Sequence, residues 1–600
     1  MVECVPPPLL EAGYVEPHKG TAVAKKRKNL IIWLIAFSIL ILVATGAGLF
    51  MLLDGGPSIG DSKARWLHVR ITPMIAEAPG SEGLILDPAE MPPLTTEISK
   101  AITTAATDDS IEGLLLEVEG VGMGWGQVQE IRDAILHFRE GGKPSVAWAE
   151  QYGNKEYFLA SAAQEVHLAP EGLTLVNGLS MTSMYYAGTF EKFGVTANFE
   201  HVGDFKSAVE PYERRGPSPA AAEATNALLD SIYGQFLRGI AQGRNIEIDA
   251  ARALVDDPPL TGADALETGL VDSLSYRDEV DELIDGDTIK IGRYIQDSGS
   301  AWLANGKRIA VVHAEGTIVS GRGGPGLMGG QRIGSTSLNK LLKEVREDDE
   351  IAAVVIRVNS PGGSAMASDA IWREVGRTQD EKPVVISMGD LAASGGYYMS
   401  MGADQIIAQP GTITGSIGVL GGKLNLSGLY AEVGLSLHHY ERGARADLLS
   451  STKDFDPEDR AKFRTFLEGF YTTFVQKAAQ GRGITYEELE AVAQGRVWTG
   501  EQALSLGLVD QLGGLDLAVH TAADLAGVTG PVVIERYPER LGFVDQLVKE
   551  MSNPESSLPS AHQLQSAAPI QDVLQAVMVL EEVLADDGMA AILPGHFRID

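Results

Sequence analysis

LTGADALETGLVDSL at 260–274 and WTGEQALSLGLVDQL at 498–512 are two versions of one element. Both carry Thr-Gly, a short apolar-rich step and then Gly-Leu-Val-Asp. Recurrence at a fixed distance marks an internal repeat. Working outward, Lys143-Pro144 and Lys382-Pro383 open a second pair, followed by SVAWAEQ and VVISMGD, then NKEYFLASAAQEVHLAP at 154–170 and SGGYYMSMGADQIIAQP at 394–410. A third pair is GRNIEIDAARAL at 243–254 and GRGITYEELEAV at 481–492. All three pairs occur in the same order, so the bulk of the chain is one domain written twice.

Each copy alternates short β-rich runs with amphipathic stretches. In the second, RIAVVHAEG, AAVVIRVN, PVVISMGD and QIIAQP read as buried strands, with helices over SLNKLLKEVRED and ASDAIWREVGR. That alternation defines an α/β fold of stacked ββα or βαβ units, between which periodicity does not choose. The glycine-rich GRGGPGLMGG at 321–330 reads as a loop and lacks the Gly-Lys-Ser/Thr ending of a phosphate cradle.

Six hundred residues exceed what one core organises, and the balance of 48 basic to 81 acidic residues, a net charge of −33, repels nucleic acid. The single cysteine, Cys4, excludes intrachain disulfides. Leu30 to Leu53 runs for 24 residues without a charge, about 36 Å as a helix and enough to cross a bilayer core of about 30 Å. Lys25, Lys26, Arg27 and Lys28 precede it, so the positive-inside rule keeps residues 1–29 cytoplasmic and exports the remainder. The expected organisation is a cytoplasmic segment at 1–29, an uncleaved transmembrane anchor at 30–53, tandem domains at 60–295 and 305–540, and a linker with a helical tail, the helix at 570–586, over 541–600.

Two glycine-rich turns follow strands in the second copy: Asn359-Ser360-Pro361-Gly362-Gly363 and Ser394-Gly395-Gly396. A serine opening a helix presents its hydroxyl, and neighbouring glycines let backbone N–H groups approach a carbonyl. Alone, Ser394 reads as a helix N-cap. Aligning the copies changes that, because Asn154 stands opposite Ser394 and EGVGMG at 119–124 replaces the Ser-Pro-Gly-Gly turn. Downstream, EHVGDFKSAVEPY at 200–212 faces HYERGARADLLSS at 439–451, setting Lys206 against Arg445. Arginine stays protonated, whereas a desolvated lysine serves as a base near neutral pH. One copy holds the base and the other the nucleophile.

RVNSPGGSA at 357–365, MGDLAASGGYYMS at 388–400, TGSIGV at 414–419 and GDFKSAVEPY at 203–212, with the two TG…GLVD elements, resemble the long, duplicated members of the bacterial signal peptide peptidase A family of serine peptidases. The resemblance covers roughly residues 25–540. It implies two tandem ClpP/crotonase-like domains, Ser394 as nucleophile, Lys206 as general base, Ser416 orienting the lysine, and backbone N–H groups of Gly395 and of Gly362 or Gly363 as oxyanion donors. It also implies a ring, commonly of four chains, hydrophobic peptide substrates such as cleaved signal peptides, and no metal or cofactor. With the anchor, it places the catalytic region on the outer, periplasmic side of a bacterial inner membrane.

Ser337-x-x-Lys340 and Ser450-x-x-Lys453 also match a serine–lysine spacing, but neither is accompanied by Ser-Asp-Asn or Lys-Thr-Gly elements in order. No Gly-x-Ser-x-Gly elbow supports a histidine triad through His201, His313, His438 or His439, and no His-Glu-x-x-His is present. A catalytically inactive scaffold would be marked by loss of Ser394 or Lys206, and both are there.

Overall fold

The computed structural model describes residues 65–79, 92–284, 286–302, 306–325, 331–538 and 589–592. The expected anchor at 30–53, the segment before it and the helical tail at 570–586 lie outside these residues. Among the described residues no helix is long and apolar enough to cross a membrane.

The first half contributes β1 (Arg65–Ile71), β2 (Ile111–Val118), β3 (Ser145–Gly153), β4 (Glu165–Leu175), β5 (Thr196–Val202), β6 (Ser273–Leu274) and β7 (Asp287–Lys290). Six of these form a wholly parallel sheet in the order β6-β4-β3-β2-β1-β7. Parallel sheets are covered on both faces, which is why LLLEV and SVAWA read as continuous apolar runs rather than alternating ones. The second half supplies β8 (Lys307–Glu315), β9 (Thr317–Val319), β10 (Gly324–Pro325), β11 (Gln331–Gly334), β12 (Ile351–Ser360), β13 (Gly362–Ser364), β14 (Val384–Ala393), β15 (Gln405–Ala408), β16 (Ile413–Gly415), β17 (Val419–Asn425), β18 (Val497–Thr499), β19 (Gln511–Leu512) and β20 (Val532–Tyr537). Its main sheet runs β18-β16-β14-β12-β8-β20, with β15 on β14 and β19 on β15.

The repeated sequence has a repeated physical job. Asp272 of the first Gly-Leu-Val-Asp accepts the Val166 N–H at 2.8 Å, and Asp510 of the second accepts that of Ile406 at 2.7 Å. Each aspartate is held by the arginine of the upstream Gly-Arg pair, Arg244 or Arg482. The glycine before each Leu-Val-Asp turns with φ near +70°, and its carbonyl accepts from the same arginine. Tyr157 donates to Leu270 O at 2.6 Å and Tyr397 to Leu508 O at 3.0 Å. Both arginines end 26-residue helices, Pro219–Arg244 and Pro457–Arg482, begun by capping Ser218 and Asp456 with proline at the first turn and closed by left-handed Asn245 and Gly483.

A third sheet joins the halves, in the order β10-β11-β9-β13-β21-β17-β5, where β21 is Met589–Ile592. β5 lies antiparallel to β17 over seven residues, from Val419↔Val202 to Asn425↔Thr196. A strand of the first copy is thus built into a sheet of the second, so the copies are not self-contained as their sequence boundaries imply. Phe190, Phe199, Val209 and Tyr212 pack with Leu420 and Leu424 under this junction. Asp390 adds a polar tie, accepting the N–H groups of Gly124 and Gln127, both at 2.8 Å, at the start of the helix Trp125–Glu140. Fully buried Arg357 pairs with Glu77 and, at 2.6 Å, with Glu130 of the first half. Burial raises the Glu77 carboxyl to about 7 against the opposing pull of Arg357.

Candidate active site

β14 ends at Ala393, and the helix Gly395–Ser400 starts two residues later. Ser394 makes that turn in one residue, with φ +55° and ψ −112°, a conformation that non-glycine residues rarely hold and that clusters at functional sites. Its N–H donates to Gly415 O at 2.8 Å, tying the turn to β16. Gly395 opens the helix, so its N–H has no intrahelical acceptor.

Lys206 arrives from the other half. It follows β5 by four residues, and the pairing of β5 with β17 carries its loop to the end of β16. The loop is seated by Phe205 N–H donating to Gln494 O at 2.8 Å and by Lys206 N–H donating to Gly203 O at 3.1 Å. Gly495, at φ +76°, lies so close that a Cβ there would fall 2.6 Å from Lys206 N and Cβ. Only glycine permits that approach.

The two side chains meet. Lys206 Nζ lies 2.7 Å from Ser394 Oγ, 3.0 Å from Ser416 Oγ and 3.1 Å from the Ser416 carbonyl oxygen. Lys206, Ser394 and Ser416 are each 0% exposed. Among the described residues no carboxylate lies within ion-pair distance of Lys206, and burial alone holds its amine well below the usual lysine range. A neutral amine has two N–H donors and one lone pair. Ser416 offers two acceptors, the hydroxyl and the carbonyl, leaving the lone pair for the Ser394 hydroxyl proton. Ser416 itself sits at φ +52°, which turns its carbonyl and its side chain toward the same amine.

The other glycine turn lies alongside. A Cβ on Gly396 would fall 2.8 Å from Ser360 O, and one on Gly363 would fall 2.0 Å from Ile318 O. Gly362 N–H donates to Ser360 Oγ at 3.2 Å, so it is already engaged. The aligned counterparts, Asn154 in the first half and Arg445 in the second, have different work. Asn154 Oδ1 accepts the N–H groups of Asn177 and Gly178, and Arg445 pairs with Glu458 and Asp459. Lys340 and Lys453 of the alternative serine–lysine spacings pair with Glu344 and Asp447. Among the described residues no cluster of three or more His, Cys, Asp or Glu is placed to hold a metal.

Sequence reasoning missed the Gln494-Gly495 platform beneath Lys206. Its signal was a glycine just before Arg496-Val497-Trp498-Thr499, where nothing in the strand pattern calls for one. It also missed β21.

A buried serine hydroxyl set against a buried lysine amine, on a duplicated α/β scaffold, is an arrangement that a serine hydrolase could use. Comparison with known proteins narrows this. The profile of peptidase family S49 matches residues 137–287 and 376–529, falling on both copies. The chain is 32% identical over 576 residues to Protease 4 of Salmonella typhi, covering 91% of this chain and 92% of that one. It is 34% identical over 476 residues to the chloroplastic serine protease SPPA of Arabidopsis thaliana, covering 77% and 68%. A solved ClpP1 mutant from Listeria monocytogenes aligns with 38% of this chain and 98% of its own at 14% identity and a TM-score of 0.23. The chain belongs to peptidase family S49, and it is a serine endopeptidase.

Proposed function

We propose that this endopeptidase works through a dyad of Ser394 and Lys206, and the observation that carries the reading is the 2.7 Å approach of Nζ to Oγ between fully buried residues. Neutral Lys206 takes the Ser394 proton as Oγ attacks a peptide carbonyl, then returns it to the departing amine. The acyl group left on Ser394 is released by a water that Lys206 deprotonates in turn. Ser416 keeps the lone pair aimed at Oγ. The oxyanion falls to the N–H groups of Gly395 and of Gly362 or Gly363, the Gly362 N–H donating to Ser360 Oγ at 3.2 Å in the chain as it stands.

The fold reading is two tandem ClpP/crotonase-like domains, one supplying the lysine and one the serine. Its support is the twice-built aspartate–arginine–tyrosine network and the glycine turns beside β13 and β14. The substrates are hydrophobic peptides, cleaved signal peptides among them, because a site that keeps a lysine uncharged is apolar. The anchor at 30–53 would hold the enzyme at a bacterial inner membrane with its catalytic region outside. Assembly into a ring of four fits the exposed Val433, Leu435, Leu437 and Tyr440, which a monomer would leave in water.

The test is hydrolysis of an apolar peptide ester by the detergent-solubilised chain. Ser394→Ala and Lys206→Ala each abolish turnover on this account. Wild-type rates in either would sink it.

A further inference from the structure

Arg496 directly precedes β18, and its guanidinium lies 4.7 Å from the Phe205 ring centroid and 4.5 Å from that of Trp498. Both distances are within cation–π reach, so the three side chains form one stack. Arg496 Nε is buried without an acceptor among the described residues, which leaves that side of the group to the rings. Its outer end pairs at 2.7 Å with the mostly exposed Glu223, a bond that contributes little. Each member of the stack touches one part of the site. Phe205 is the residue before Lys206. Trp498 lies over Gly415, where a Cβ would fall 2.9 Å from the indole, and the Gly415 carbonyl is the acceptor of the Ser394 N–H. The Arg496 carbonyl accepts the Ser416 N–H at 2.7 Å. The duplication gives independent support. In the aligned copies Phe205 meets Ala444, Arg496 meets Pro258 and Trp498 meets Leu260, so the positions that lack the serine and the lysine lack the stack as well.

We propose that the Phe205–Arg496–Trp498 stack is the clamp that holds Lys206 against Ser394 and closes its amine to water, with Arg496 as a positioning residue that touches no reacting atom. The inference rests on the dyad reading above and deepens it. Backbone bonds seat the lysine loop at Gly203 and Gln494, and the stack adds the side-chain fastening between the halves. Without it the loop loosens, water reaches Nζ, the charged form is favoured and the lone pair loses its aim. The charged groups on the surrounding elements are Asp204 on the lysine's own loop, Glu223 on the helix Pro219–Arg244, Glu490 on the helix Tyr486–Val492, and Arg496 itself. Among the described residues none forms an ion pair with Lys206, whose amine is shifted by burial alone, so what the clamp controls is hydration.

The test is hydrolysis of an apolar peptide ester across pH by the full detergent-solubilised chain. In Arg496→Ala kcat at pH 7 should fall about 10- to 100-fold with KM unchanged, as for a misplaced catalytic group. The acid limb of the profile should move up by about one pH unit, toward the ordinary lysine range, as burial is relieved. Arg496→Lys, which keeps a cation between the rings, should recover most of both. Phe205→Ala should reproduce Arg496→Ala, and the double variant should be no worse than either, because the stack acts as a unit. An acid limb left in place in Arg496→Ala, an Arg496→Lys chain no better than Arg496→Ala, or losses that multiply in the double variant would overturn the proposal. The dyad reading fails separately, if Lys206→Ala retains turnover. The clamp is then judged by hydrogen exchange at the Phe205 and Lys206 amides, which should quicken by about tenfold or more in Arg496→Ala; unchanged exchange refutes it.

Discussion

Ser416→Ala removes one of the three contacts that hold the Lys206 amine and leaves the rest. The lost contact is Oγ at 3.0 Å; the Ser416 carbonyl at 3.1 Å and Ser394 Oγ at 2.7 Å remain. The backbone at φ +52° is no harder for alanine than for serine, so the turn should survive. A hydrogen bond of this kind contributes about 0.5–1.5 kcal/mol net, which converts to a fall in kcat of roughly 2- to 13-fold. The effect belongs in kcat, because an amine aimed less well at Oγ slows proton transfer without touching the peptide. The assay is ester hydrolysis across pH, with KM and kcat separated. A hydroxyl accepts more strongly from an ammonium than from an amine, so its loss moves the acid limb of the profile, if at all, to lower pH. A loss beyond about a thousandfold would assign Ser416 a chemical step rather than a positioning one. An unchanged kcat would mean that its hydroxyl does not hold the amine.

Other outcomes follow from the same contacts. On the proposed mechanism activity requires neutral Lys206, whose folded pKa lies below its unfolded value, so kcat/KM should rise with pH through that lowered pKa and be flat well below pH 10.5; a limb at the ordinary lysine pKa would contradict burial as the cause. Between the two pKa values the unfolded chain binds more protons, so the lysine costs stability that returns as pH rises, and Lys206→Met should raise Tm at pH 7 while abolishing activity. Gly495→Val should cut kcat at least a hundredfold with the far-ultraviolet circular dichroism retained, since its Cβ would meet the Lys206 backbone at 2.6 Å. Arg357→Met leaves Glu77 and Glu130 buried without their cation and should cost about 3–5 kcal/mol in guanidinium unfolding.

That Ser394 and Lys206 form one candidate site was legible in the sequence because duplication supplied an internal control. Asn154 against Ser394 and Arg445 against Lys206 showed which residues had departed from the common scaffold, and the structure gives the departed counterparts ordinary bonds with Gly178 and Asp459. The strands over 308–316, 352–359 and 383–390 were legible because they are buried on both faces. How the halves meet was not. β5 reads TANFEHV, a plain half-buried strand, and nothing local says that its partner is VLGGKLN more than two hundred residues on. The buried Arg357 gave no sign either, since an arginine within a strand run looks the same whether its carboxylates come from solvent-facing neighbours or from Glu77 and Glu130. Met589–Ile592 is four residues in a stretch read as linker and helix, and only its two partner strands make it a strand.

The central claim is that Ser394 is activated by Lys206 within one chain. Its most direct measurement is mass-spectrometric mapping of the adduct formed by an apolar peptidyl phosphonate, which reacts only with an activated serine. The account predicts a single adduct, on Ser394, formed by the wild-type chain and not by Lys206→Ala. An adduct on another serine, or one on Ser394 formed at the same rate without Lys206, would contradict it.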